Sequence, residues 1–138
     1  MAKLSGMKFD DGKLPYHLID EAAEAEMVAV LGFGAVKYEA ENWRFVENAR
    51  NRYFDAIRRH LRSSRRGEIF DSEHGLLALA SVVCSAHFLL ALELEAHPEL
   101  AASLPERYKE ALKRARALRE ARLAKVRPLA KTKGRRKK

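Results

Sequence analysis

Two groups of residues have the types and spacing to do chemistry. One group is acidic. Glu21 and Glu24 stand three apart, so a helix puts both on one face. Glu68, Asp71 and Glu73 follow a second helical segment, and His60 lies two turns before that segment ends. Clustered carboxylates repel one another, and a hard divalent cation is the usual offset. Mg²⁺ and Mn²⁺ take oxygen ligands and bridge to phosphates, and a bound metal also activates water. The plainer reading is helix capping, because acids at helix N-termini are ordinary dipole partners. His60 reads equally well as a core histidine, His87 reads as core, and His74 as exposed surface.

The second group is Lys37, Tyr38, Asn42, Trp43 and Arg44, two cations, two aromatics and an amide within eight residues. A nucleotide needs cations for phosphate, a flat ring for the base and an amide for its edge. The competing reading is a loop whose Trp43 and Tyr38 plug the end of a bundle. Arg59, on the following helix, is a further phosphate candidate. Gly32-Phe-Gly34 follows a helix rather than a strand, so it is no dinucleotide fingerprint. Cys84 lies in an apolar run and reads as core.

The elements that must position these residues are helices. Apolar spacing predicts helix 1 over 16–36, helix 2 over 49–66, helix 3 over 73–96 and helix 4 over 105–125. Gly67 should end helix 2, Pro98 helix 3 and Pro128 helix 4. No strand alternation is sustained. The fold class expected is all-α, an up-and-down bundle of about four helices. An N-terminal arm (1–15) precedes the helical domain (16–125), and a disordered basic tail (126–138) follows. If helices run up and down, the start of helix 1, the end of helix 2 and the start of helix 3 share one end. Five carboxylates and an imidazole then converge there. A helix of about 20 residues spans roughly 30 Å. The Lys37–Arg44 loop must therefore fold back or come from a neighbouring subunit.

The 138 residues fit one domain with a modest core. One cysteine excludes an intramolecular disulfide. Residues 76–92 are apolar but short for a membrane span, and the expectation is a bundle helix with no membrane partner. No signal peptide is evident. Charge is segregated: residues 106–138 carry 15 Lys and Arg against 3 Asp and Glu, while 1–105 carry 12 against 16. The basic end suggests weak nucleic-acid contact, or simply a solubilising extension.

Three blocks carry a family resemblance: Lys8-Phe-Asp10-Asp-Gly12-Lys13; Phe33-Gly34-Ala35-Val-Lys37-Tyr38 with Asn42-Trp43-Arg44; and Arg59-His60-Leu61 with Gly67-Glu68-Ile-Phe-Asp71-Ser-Glu73-His-Gly75. Together they resemble the phage dATP/dGTP diphosphohydrolases, relatives of the all-α MazG-like pyrophosphohydrolases. The resemblance covers roughly residues 8–95. It implies hydrolysis of a purine (deoxy)nucleoside triphosphate, with (d)GTP the expected substrate, to the monophosphate and pyrophosphate. It implies Mg²⁺ or Mn²⁺ as cofactor, a homodimer or homotetramer, and a place in the cytoplasm of an infected bacterium. It further implies supply of dGMP for modified-purine synthesis. On that basis Glu21, Glu24, Glu68, Asp71 and Glu73 are the metal candidates. Glu24, Glu73 and His60 are the catalytic ones. Lys37, Tyr38, Asn42, Trp43, Arg44 and Arg59 are the substrate contacts.

Two departures stand out. Ala78 and Ser81 occupy positions where the family often carries histidine. Glu21-x-x-Glu24 matches the first half of the MazG-like acidic motif, whereas Arg52-x-x-Asp55 keeps only the aspartate of the second; Glu68-x-x-Asp71 has the spacing but lies later. The alternative function is a non-catalytic helical protein that oligomerises and binds nucleic acid through its basic C-terminus.

Overall fold

The structure is a computed structural model that describes residues 12–133 and positions 6, 8 and 10, with side chains described as far as Val126. The architecture is all-α. The helices are α1 (Glu21–Lys37), α2 (Ala49–Arg65), α3 (Ala78–Ala96), α4 (Pro98–Ala102) and α5 (Leu104–Lys133). Short 3₁₀ turns cover Tyr16–Leu18 and Asn42–Phe45. No strand occurs among the described residues; Phe70 and Leu77 form an isolated antiparallel bridge.

The chain divides into two compact units. Pro15–Pro98 is one, and the other comprises the residues up to Leu14 and from Glu99 on. In the first unit α3 is central, with both α1 and α2 packed on it. The side of α3 that they cover is small: Ala78, Ala80, Ser81, Cys84 and Ser85 are its buried residues. Small side chains let helices approach closely, so this unit has little bulky core.

Helix ends follow local chemistry. α1 begins at Glu21, five residues later than expected. Ile19 is extended, and the Asp20 side chain caps the helix by accepting from the Ala23 amide at 2.9 Å. α2 ends as the glycine predicts. Gly67 has φ +86°, its amide donates to the Ser64 carbonyl, and the Glu68 amide donates to that of Ser63. This is the paired bonding of a Schellman cap. α3 begins at Ala78 rather than residue 73, because Asp71–Gly75 is a tight turn with Gly75 at φ +69°. Pro98 follows the end of α3 as expected. Pro128 does not end α5, which continues to Lys133. A helix-interior proline forfeits one backbone hydrogen bond, and the flanking Arg, Leu, Ala and Lys are strong helix formers. The expected tail from 134 on, and most of the N-terminal arm, lie outside the described residues.

The path between α1 and α2 corrects one expectation. Phe33, late in α1, meets the His74 ring at 5.1 Å, and Lys37 bonds Glu73. His60, late in α2, meets Asp71 at 3.4 Å. Both helices therefore finish beside the start of α3. Residues 38–48 run back along α3, with Trp43 on Phe88 and Arg44 on Glu95. The start of α1 consequently does not share an end with Glu68, Asp71 and Glu73. The rise of about 1.5 Å per residue puts Glu21 roughly 20 Å or more from Glu73.

Candidate nucleotide pocket and the His60–Asp71–His74 turn

The returning loop makes a pocket. A cavity of about 730 Å³ lies between late α1, the loop, α2 and the middle of α3. Its lining includes Tyr38, Asn42, Trp43, Arg44 and Arg59. Five of the six residues expected to contact substrate thus share one cavity, and the loop reaches it within its own chain. The sixth, Lys37, is turned to Glu73, whose carboxylate holds its ammonium above the ordinary lysine pKa.

Trp43 is fixed on both faces. The Phe88 ring stacks on it at 4.6 Å with the planes 15° apart. The Arg44 guanidinium lies 4.3 Å from the indole. A parallel ring fills one face, so the guanidinium takes the other. The Tyr53 hydroxyl donates to the Trp43 carbonyl at 3.0 Å. Trp43 is therefore a strut that seats the loop, and Tyr38, 60% exposed, is the more accessible ring, with the Lys37 ammonium 4.9 Å from its centre. Arg44 is also neutralised, by Glu41 and Glu95.

Two further lining residues are Arg52 and Asp55, which the sequence had singled out only as an incomplete match to the second half of the MazG-like acidic motif and not as site residues. With Arg59 they stand at i, i+3 and i+7 on α2, which is one helical face. None of the three pairs with any described residue in an ion pair.

The acidic residues form no metal cage. Glu21 and Glu24 are exposed in the first turn of α1, and Glu68 is exposed beyond α2. Glu73 is paired with Lys37. Asp71 is committed to its turn: Oδ1 accepts from the amides of Glu73 (2.8 Å) and His74 (3.3 Å), and Oδ2 faces His60. Burial works to raise its pKa, but these amides and the two imidazoles outweigh it and hold it below the usual value. Among the described residues no three His, Cys, Asp or Glu are placed to hold a metal ion. The five carboxylates do not fit one ion in one chain.

His74 is half-buried rather than exposed. Its Nδ1 accepts from the Leu76 amide at 3.0 Å, so Nε2 carries the proton and donates to Ser81 Oγ at 3.1 Å. Ser81 is thus the partner that satisfies His74. Burial lowers the pKa of His60, with Asp71 only partly opposing. Cys84 is buried, and its thiol is raised to about 11.

A family model described as dATP/dGTP diphosphohydrolase, N-terminal, matches residues 3–103. The chain belongs to this family. A dATP/dGTP diphosphohydrolase of Salmonella phage PMBT28 is 34% identical over 86 residues, which is 62% of this chain and 29% of that protein. The match thus spans less than a third of that relative. No solved structure matches the chain. The span matched by the family model takes in the whole pocket and the His60–Asp71–His74 turn.

Proposed function

We propose that the chain hydrolyses a purine (deoxy)nucleoside triphosphate, dGTP foremost, to the monophosphate and pyrophosphate. The observation that supports this is one cavity lined by an exposed aromatic ring, an amide and two arginines without an ion-pair partner among the described residues. Water attacks the α-phosphorus and the bond to the bridging oxygen breaks, so pyrophosphate leaves. In this reading Tyr38 stacks on the base and Asn42 reads its edge. Arg52 and Arg59 neutralise the phosphates, and Asp55 between them orients the attacking water. Trp43 and Arg44 hold the loop. Glu73 and His60, expected to be catalytic, serve the α1–α3 and α2–α3 junctions, and Glu24 lies apart.

A requirement for Mg²⁺ or Mn²⁺ belongs to the same reading. Magnesium is commonly held by one or two carboxylates together with substrate phosphates rather than by a protein cage. The carboxylates lining the cavity are Glu39, Glu41 and Asp55. Assembly into a homodimer or homotetramer, and supply of dGMP for phage modified-purine synthesis, complete the proposal.

The test is purified protein with each purine and pyrimidine triphosphate, with Mn²⁺, Mg²⁺ or chelator. The expected result is pyrophosphate with dGMP from dGTP, abolished by chelator. If no purine triphosphate yields either pyrophosphate or orthophosphate, the proposal fails.

A further inference from the structure

Much of the basic charge of the C-terminal segment is built into α5. From Lys113 to Lys125 the helix carries Lys113, Arg114, Arg116, Arg119, Arg122 and Lys125, all exposed, against one acid, Glu120. Further Arg and Lys continue the sequence to Lys138. The composition is Ala, Leu, Arg, Lys and Glu, the strongest helix formers, so α5 holds its shape with little help from packing.

The arrangement of charge around the axis is the informative feature. At about 100° per residue, Arg114, Arg122, Arg119, Arg116 and Lys113 follow one another around the helix at intervals of roughly 60–100°. Cations point in every direction. The larger apolar side chains, Leu118, Val126 and Leu123, are exposed and alternate around the axis with Arg122 and Arg119. A helix lying on a lipid surface needs a continuous apolar face at least about 100° wide; the apolar stripe of Tyr108, Leu112, Ala115 and Leu118 in the first half of α5 is broken by Arg119 and Arg122 over residues 113–126. A helix docked on one acidic face of a protein would leave half its cations unused.

We infer that α5 binds double-stranded DNA, lying in the major groove with its cations against phosphates on both walls. A helix with side chains is about 10–12 Å across, and the B-form major groove is about 12 Å wide. The major groove of A-form RNA is deep and narrow and excludes such a helix. Contact is to the backbone, so it carries no sequence preference. This inference is independent of the nucleotide pocket.

The experiment uses the full chain and a labelled DNA duplex two turns long, across a salt series. A duplex RNA of equal length and phosphatidylserine vesicles serve as competitors. The variant replaces Arg114, Arg116, Arg119 and Arg122 with Gln, which keeps helix propensity; circular dichroism verifies unchanged helicity. The expected result is DNA binding that falls at least tenfold in the variant at about 100 mM salt, with the slope of log K against log salt shallower by about 2–4. Absence of DNA binding by the parent chain overturns the inference, as does a variant that binds equally well. Duplex RNA or vesicles bound as tightly as DNA overturn the groove assignment.

Discussion

Tyr38 and Trp43 are five residues apart and carry different burdens. Trp43 is held between Phe88 and Arg44, so truncating it removes packing on both sides. Trp43→Ala should cost about 3 kcal/mol, read as a lower urea midpoint. Tyr38 is exposed, and Tyr38→Ala should change stability by less than about 0.5 kcal/mol. It should nonetheless raise KM for the nucleotide by roughly 5- to 100-fold, the usual worth of base–aromatic stacking. Equal loss of stability in both variants would contradict the division of labour. Cys84, buried with its thiol raised to about 11, should resist iodoacetamide in the native protein and react once urea unfolds it.

The turn between α2 and α3 joins its elements through ionisable groups, so its strength depends on pH. Both His60 and Asp71 have folded-state pKa values below their ordinary ones. Each therefore adds stability that is present above its unfolded pKa and is lost as pH falls through the folded value. Unfolding midpoints should be level above about pH 7 and decline below about 6.5 as His60 engages. A second decline should follow below about pH 4 as Asp71 protonates. His60→Gln should remove the first decline and keep the second. Much of this element was legible in the sequence: Gly67 as the α2 cap and Pro98 after α3. The direction of α1 was not. Apolar spacing gives a helix its face but not the route of its connection, and an 11-residue loop can turn tightly or run back. That ambiguity is what set Glu21 and Glu24 apart from Glu73. The late start of α3 was hidden for a related reason. Acids at 71 and 73 suit a helix N-terminus, but Asp71 gives one oxygen to local amides and turns the other to His60 instead.

At the scale of the molecule, α3 is two-sided. One side packs against α1 and α2. The other shows Leu79, Val83 and Leu90, each more than half exposed and in line at helical spacing. α3 is long and apolar enough by composition to cross a membrane, and a second copy of the chain would cover the same stripe. The proposed dimer predicts that Val83→Asp with Leu90→Asp reduces the mass seen by light scattering to that of one chain. If the parent chain is itself monomeric at high concentration, this part of the proposal is wrong.

Trp43 is the protein's one tryptophan, and it stands at the hinge between loop and cavity. Its fluorescence is therefore a built-in reporter whose whole signal comes from one place. Release of the loop would part the indole from Phe88 and Arg44 and move emission to the red. A purine entering beside it would quench without that movement. A single emission scan can thus tell substrate arrival from loop opening.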